Sequence, residues 1–213
     1  MSVTDTLKRL LTFGTGVVLP LHHAGDPVLE KKARKIAAVT PEIRDLAARM
    51  AVTMRENHGV GLAAPQVGVG LRLIVIGTHD SREPVPADAT PGEHLLGARM
   101  PLALINPEII TVSDDLDTCS EGCLSVPDIS AEVVRPWAVA VRATTLDGET
   151  LELICGNLLS RCLQHEIDHL DGILFIDRLK KAETRRIKED LEALRERTRR
   201  RLAAARGKRL AMG

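Results

Sequence analysis

The chemistry in this chain is concentrated in one pentapeptide, His165-Glu166-Ile167-Asp168-His169. On a helix, residues four apart lie on one face, one turn apart. Two imidazoles so placed can grip one metal ion, and the glutamate beside the first can serve as a general base. The flanking Leu158, Leu159, Leu163 and Leu170 predict a buried helix rather than a solvated one. A hydrolytic metal site needs a third protein ligand and one open position. The metzincin pattern would place that ligand at Phe175, which cannot ligate. Of the downstream carboxylates Asp177, Glu183 and Glu189, the last two sit in a charged helix, so the third ligand is expected upstream.

Upstream lies Glu121-Gly122-Cys123-Leu124-Ser125-Val126-Pro127, and before it Gly59-Val60-Gly61-Leu62-Ala63-Ala64-Pro65-Gln66-Val67-Gly68. Small residues in the second segment would let another backbone approach closely. With Gln164-His165-Glu166-Ile167-Asp168-His169, these segments resemble, in order and approximate separation, the three signature motifs of the peptide deformylase family. Lesser matches are Asp26-Pro27-Val28-Leu29, Ile105-Asn106-Pro107-Glu108-Ile109, Arg135-Pro136 and Leu174-Phe175-Ile176-Asp177-Arg178-Leu179. The resemblance covers about residues 25–180.

The resemblance implies metal ligands Cys123, His165 and His169, with Fe(II) as the physiological ion and Ni, Co or Zn as substitutes. It implies removal of the formyl group from N-formylmethionyl nascent peptides. An activated water attacks the formyl carbon, and Glu166 takes a proton from it and passes one to the leaving amine. The Gln66 side-chain amide and the Leu124 backbone N–H would steady the developing oxyanion. The peptide would add like a strand along Val60, Gly61 and Gly122, with Val60 and Leu124 lining an apolar slot for methionine. Cys162, one turn before His165, is expected as a pocket-wall thiol, because a fourth ligand would close the site. Glu121 and Arg135 are expected to pair and brace the Cys123 loop, while Asp168 reads either as a carboxylate supporting the ligands from behind or as a surface acid. Some relatives carry a basic, substrate-contacting residue where this chain has Asp128-Ile129-Ser130. The rival readings are a metallopeptidase with another third ligand and a non-catalytic binding protein.

These residues need elements to position them. Thr40-Pro41-Glu42 starts a helix predicted over about 41–57. Residues 59–68 read as a small-residue loop or irregular strand, and 77–100, with three prolines, as a surface loop. Strands are predicted at 71–76, 102–110, 133–144 and 149–154, the last two joined at Asp147-Gly148. The metal helix is predicted over 158–170 and a last helix over about 179–203, with Ile187, Leu191, Leu194 and Leu202 on one face. The fold class expected is α+β: antiparallel or mixed sheets around a central metal-binding helix, with a C-terminal basic helix. Cys119 and Cys155 are expected as buried, reduced thiols.

The chain has 29 Lys+Arg and 29 Asp+Glu. That zero is a sum of opposites: residues 1–177 carry 15 basic and 24 acidic side chains, residues 178–213 carry 14 and 5. An acidic catalytic domain (1–177) joined to a basic amphipathic helix and tail (178–213) is expected. Because the implied substrate leaves a ribosome, the basic helix is expected to dock on ribosomal phosphate. Three aromatic residues are too few for a single-strand stacking platform. No apolar run reaches bilayer length, so no membrane is expected. Residues 5–11 are expected to form a short helix, and the enzyme to work in bacterial cytoplasm.

Overall fold

The computed structural model describes residues 17–211. The short helix expected over residues 5–11 lies outside them. Helix α1, Pro41–Glu56, starts behind Thr40 with proline at its first turn and buries Ile43, Ala47, Met50 and Met54. Strand β1 (Gly61–Ala63) and a 3-10 turn (Ala64–Val67) follow, then β2 (Leu73–Ile76). Helix α2 (Pro91–Gly97) precedes β3 (Leu102–Val112), β4 (Leu116–Cys123), β5 (Val126–Pro136), β6 (Val139–Thr145) and β7 (Thr150–Cys155). The metal-motif helix is α3, Asn157–Leu170. A 3-10 turn (Phe175–Arg178), α4 (Lys181–Arg186) and α5 (Lys188–Ala211) complete the described chain.

The strands form a five-stranded sheet in the order β1-β2-β3-β6-β7 and a separate β4-β5 ribbon, with every ladder antiparallel. The β6–β7 hairpin turns at Asp147-Gly148, where Gly148 takes φ +84°, as the turn chemistry requires. All four residues of β2 are buried because both sheet faces are covered. One face presents Ile74 and Ile76 to Leu159, Leu163 and Ile167 of α3. The other presents Leu73 and Val75 to Met50 and Met54 of α1. A third cluster joins Val126, Ala131 and Val133 of β5 to Phe175 and to Ile187, Leu191 and Leu194. Helix α3 therefore lies inside the protein, against the large sheet and close to the ribbon. This is the α+β arrangement expected.

Several expectations need correction. The 77–100 stretch is not all loop: it contains α2, whose Thr90 N–H and hydroxyl both donate to Glu93. The strand expected over 133–144 is the end of β5 and most of β6, broken at Trp137, and β4 was not anticipated. The last helix is divided at Ile187; Ile187, Leu191 and Leu194 are buried, while Leu202 is only partly covered. Cys155 is buried as expected, but Cys119 is exposed, on a ribbon strand most of whose residues face solvent. Leu158 is also half exposed, because the first turn of α3 opens onto a cleft.

Candidate metal centre

Every residue of α3 from Leu159 to Leu170 is buried, including Ser160, Arg161, Gln164, His165, Glu166, Asp168 and His169. Buried polar groups are costly unless bonded, so each must have a partner or a task. One donor atom each from Cys123, His165 and His169 lie within 4.8 Å of one another. Cys123 Sγ is 3.2 Å from His169 Nε2. His165 Nδ1–H donates to Glu121 Oε2 at 2.9 Å. That bond fixes the tautomer and leaves Nε2 free to ligate. Burial pulls the His169 pKa well below its ordinary value, and the neighbouring His165 adds to this. His169 is thus held neutral, the form a metal requires.

Glu121 is the hub behind these candidate ligands. Its carboxylate accepts from Arg135 at 2.6 and 2.9 Å and from Arg161 at 2.7 Å, in addition to His165. Burial alone would raise its pKa, but the bonds from His165 and Arg135 hold it far below the carboxylate range. Arg135 also donates to Asp168 at 2.8 Å, and Asp168 accepts from Arg178 as well. The expected Glu121–Arg135 pair is therefore present, and Asp168, buried rather than on the surface, joins the same network through Arg135 and Arg178. Arg161, which was not singled out, bonds Glu121, the Val133 carbonyl and Asp117, and so locks α3 to both strands of the ribbon. Nothing local in the sequence marked it, since its partners lie 28 to 44 residues away.

Two polar atoms at the site have no partner among the described residues: Glu166 Oε2 and His169 Nδ1. Burial pushes the Glu166 carboxyl up to about 7. A buried, unsatisfied carboxylate beside a thiol and two imidazoles is a donor set that suits a divalent metal with a base next to it. The Gln66 amide is fully oriented: Oε1 accepts from Ala63 N–H at 2.7 Å, which turns Nε2 toward Ser125 Oγ (3.2 Å) and Cys123 Sγ (3.5 Å). Ser125, entirely buried, was a partner not anticipated. Cys162 donates its thiol to the Val60 carbonyl at 3.3 Å, outside the metal trio. Burial, aided by Glu166, raises its pKa well above the thiol range.

These groups open into a cleft of about 780 Å³ lined by Val60, Gly61, Gln66, Gly122, Cys123, Leu124, Cys162, His165 and Glu166, among others. All residues expected at the site reach this cleft except His169, which sits behind Cys123 as the deeper ligand candidate. Gly61 has a steric reason to be glycine: a Cβ there would collide with the Glu166 carboxylate and come within 2.8 Å of Cys162 Sγ. Gly122 has open space instead, so no clash demands its small size.

The family model described as "Polypeptide deformylase" matches residues 18–185. The chain belongs to the polypeptide deformylase family. A peptide deformylase of Picosynechococcus sp. is 47% identical over 161 residues, covering 76% of this chain and 79% of that one. One of Agrobacterium fabrum is 42% identical over 174 residues, 82% of this chain and 91% of that one. The crystal structure of a plant peptide deformylase superposes with a TM-score of 0.75 at 34% identity, covering 87% of this chain and 94% of that one. The protein is thus a metal-dependent hydrolase that removes the N-terminal formyl group from nascent polypeptides. No helix among the described residues is long and apolar enough to cross a membrane.

Proposed function

We propose that Cys123, His165 and His169 are the metal ligands of the deformylation reaction and that Glu166 is its acid and base. The observation that carries this reading is the trio of donor atoms, two from buried histidines and one from half-buried Cys123, beside the unpartnered Glu166 Oε2. A bound divalent ion supplies Lewis acidity and a water of lowered pKa. Glu166 accepts a proton from the attacking water and delivers one to the departing amine, so formamide and water become formate and a free N-terminus. Gln66 Nε2 and the Leu124 N–H donate to the developing oxyanion. The backbone at Val60, Gly61 and Gly122 pairs with the incoming peptide, and Val60 and Leu124 flank the methionine side chain.

Fe(II) is our choice for the physiological ion, with Ni, Co or Zn as substitutes. The thiolate-plus-imidazole set suits all four, and the choice of iron rests on the family resemblance. We read residues 1–177 as the catalytic unit and 178–213 as a basic helix and tail, seated on it by Ile187, Leu191 and Leu194. Its exposed arginines suit ribosomal phosphate, and work in bacterial cytoplasm suits the bacterial relatives. The test is anaerobic formate release from formyl-Met-Ala with Fe, Ni and Zn compared. Formate without peptide-bond cleavage supports the reading; cleavage of the internal amide would favour a peptidase.

A further inference from the structure

The segment Leu21–Asp26 has no part in the chemistry above, yet it crosses between two segments that do. His22 N–H donates to the Gln66 carbonyl, and Ala24 N–H donates to the Ser125 carbonyl, both at 2.8 Å. Gln66 carries one proposed oxyanion donor, and Ser125 follows Leu124, which carries the other. One tripeptide thus ties the backbones of both donors. Ala33 N–H extends the tie to the Leu170 carbonyl at the end of α3.

The strap is locked by its own side chains. His22 Nδ1 lies 2.6 Å from Asp26 Oδ2. The other oxygen, Oδ1, accepts the Val28 N–H at 3.0 Å, and Asp26 N–H donates to the His23 carbonyl at 3.0 Å. Asp26 is 6% exposed, so its charge persists only with such partners. The His22 ring occupies the space of the missing Gly68 side chain: a Cβ there would lie 2.6 Å from Nε2. Gly68 takes φ +82° and ends the turn that carries Gln66. The ring therefore seats that turn while the backbone of the same residue holds it.

We propose that the His22–Asp26 pair is a positioning device for deformylation, locking the strap so that the Gln66 amide keeps a fixed place relative to the Leu124 N–H. This rests on the reading of Gln66 and Leu124 as oxyanion donors. Neither His22 nor Asp26 touches the reacting atoms. Their effect runs through Gln66, and small displacements of a donor that acts in the transition state lower kcat more than they raise KM.

The test uses the full, metal-loaded chain and formyl-Met-Ala, with His22→Ala, Asp26→Asn, Gln66→Ala and the doubles of each strap variant with Gln66→Ala. Metal content and Tm are measured beside kcat and KM. We expect each strap variant to keep its metal, to lower kcat about tenfold and to leave KM within about twofold. In the Gln66→Ala background the strap effect should shrink severalfold, because the group it positions is gone. A purely structural role would give the same loss in both backgrounds, and that result overturns the proposal. So does unchanged kcat in the strap variants when Gln66→Ala is impaired. If Gln66→Ala itself keeps full kcat, the oxyanion reading has failed and takes the proposal with it. Should Asp26→Asn fail to fold, His22→Ala still decides, since it keeps the backbone N–H and removes a side chain that is 30% exposed.

Discussion

Helices α3 and α5 are both rich in charged and polar side chains, and they use them in opposite ways. In α3 the ionisable residues Arg161, His165, Glu166, Asp168 and His169 are all buried, and Arg161, His165 and Asp168 are bonded to the ribbon or to Arg178. The exceptions, one Glu166 oxygen and one His169 nitrogen, lie at the candidate metal site. In α5 the apolar side is narrow, with Ile187 just before it and Leu191 and Leu194 within it, and the arginines from 197 to 201 stand in solvent. Its ion pairs, such as Arg200–Glu196 at 2.8 Å, are exposed and of small worth. The difference teaches where a polar residue is informative. A buried one is held in place by named partners, and removing a partner is expected to disturb the proposed metal centre. An exposed one acts only on what arrives from solution.

The comparison is broken most severely by removing a ligand. Cys123→Ala should lose the bound metal and all turnover, measured by metal analysis after gel filtration; tight retention of metal would show that the third ligand is another residue. Next comes the brace. Arg135→Ala leaves Glu121 and Asp168 short of a partner, and should cost about 3–5 kcal/mol of stability. Metal affinity should also fall by about 10–100-fold, read by competition with a chelator. A variant unchanged in both would remove the brace from the account.

A charge reversal in α5 sharpens the contrast. Arg199→Glu with Arg200→Glu should change stability by about 0.5 kcal/mol or less. It should leave formyl-Met-Ala turnover intact while reducing co-sedimentation with ribosomes at low salt. Unchanged co-sedimentation would reject the docking proposal. A smaller effect concerns pH. Burial works against the charge on Asp26, but its bonds to Val28 and His22 leave its pKa below the ordinary value. Its contribution to stability is therefore present above the ordinary carboxylate pKa and is lost as pH falls through the lowered one. Asp26→Asn should accordingly flatten the acid limb of the Tm–pH curve. The smallest effect is thiol access: Cys155, its pKa pushed up to about 12 by burial, and buried Cys162 should stay unreactive in the native protein, while exposed Cys119 reacts.

What the sequence makes legible follows the same division. His165, Glu166 and His169 were legible because a helix fixes their spacing by local geometry alone. The Asp147-Gly148 hairpin was legible for a similar reason, since its turn chemistry is local. The family resemblance supplied Cys123, Gln66 and Leu124, whose meeting depends on contacts across the fold. Strand β4 was missed because it is mostly exposed and carries no apolar alternation. Its partner β5 does alternate through Ala131, Val133 and Arg135, but a buried arginine interrupts the apolar signal. Helix α2 was hidden by prolines, although Thr90 and Glu93 form the spacing of a capped start. Arg161 and Ser125 gave no local sign, since their value lies in partners 28 to 59 residues away.

The central claim is that Glu166 moves the protons at a metal held by Cys123, His165 and His169. Its most direct test is Glu166→Ala, prepared without oxygen and assayed for bound metal and for formate release from formyl-Met-Ala. The variant should keep its metal and lose turnover by about 10²–10⁴-fold. A metal-loaded variant that still releases formate at a substantial fraction of the original rate would contradict it.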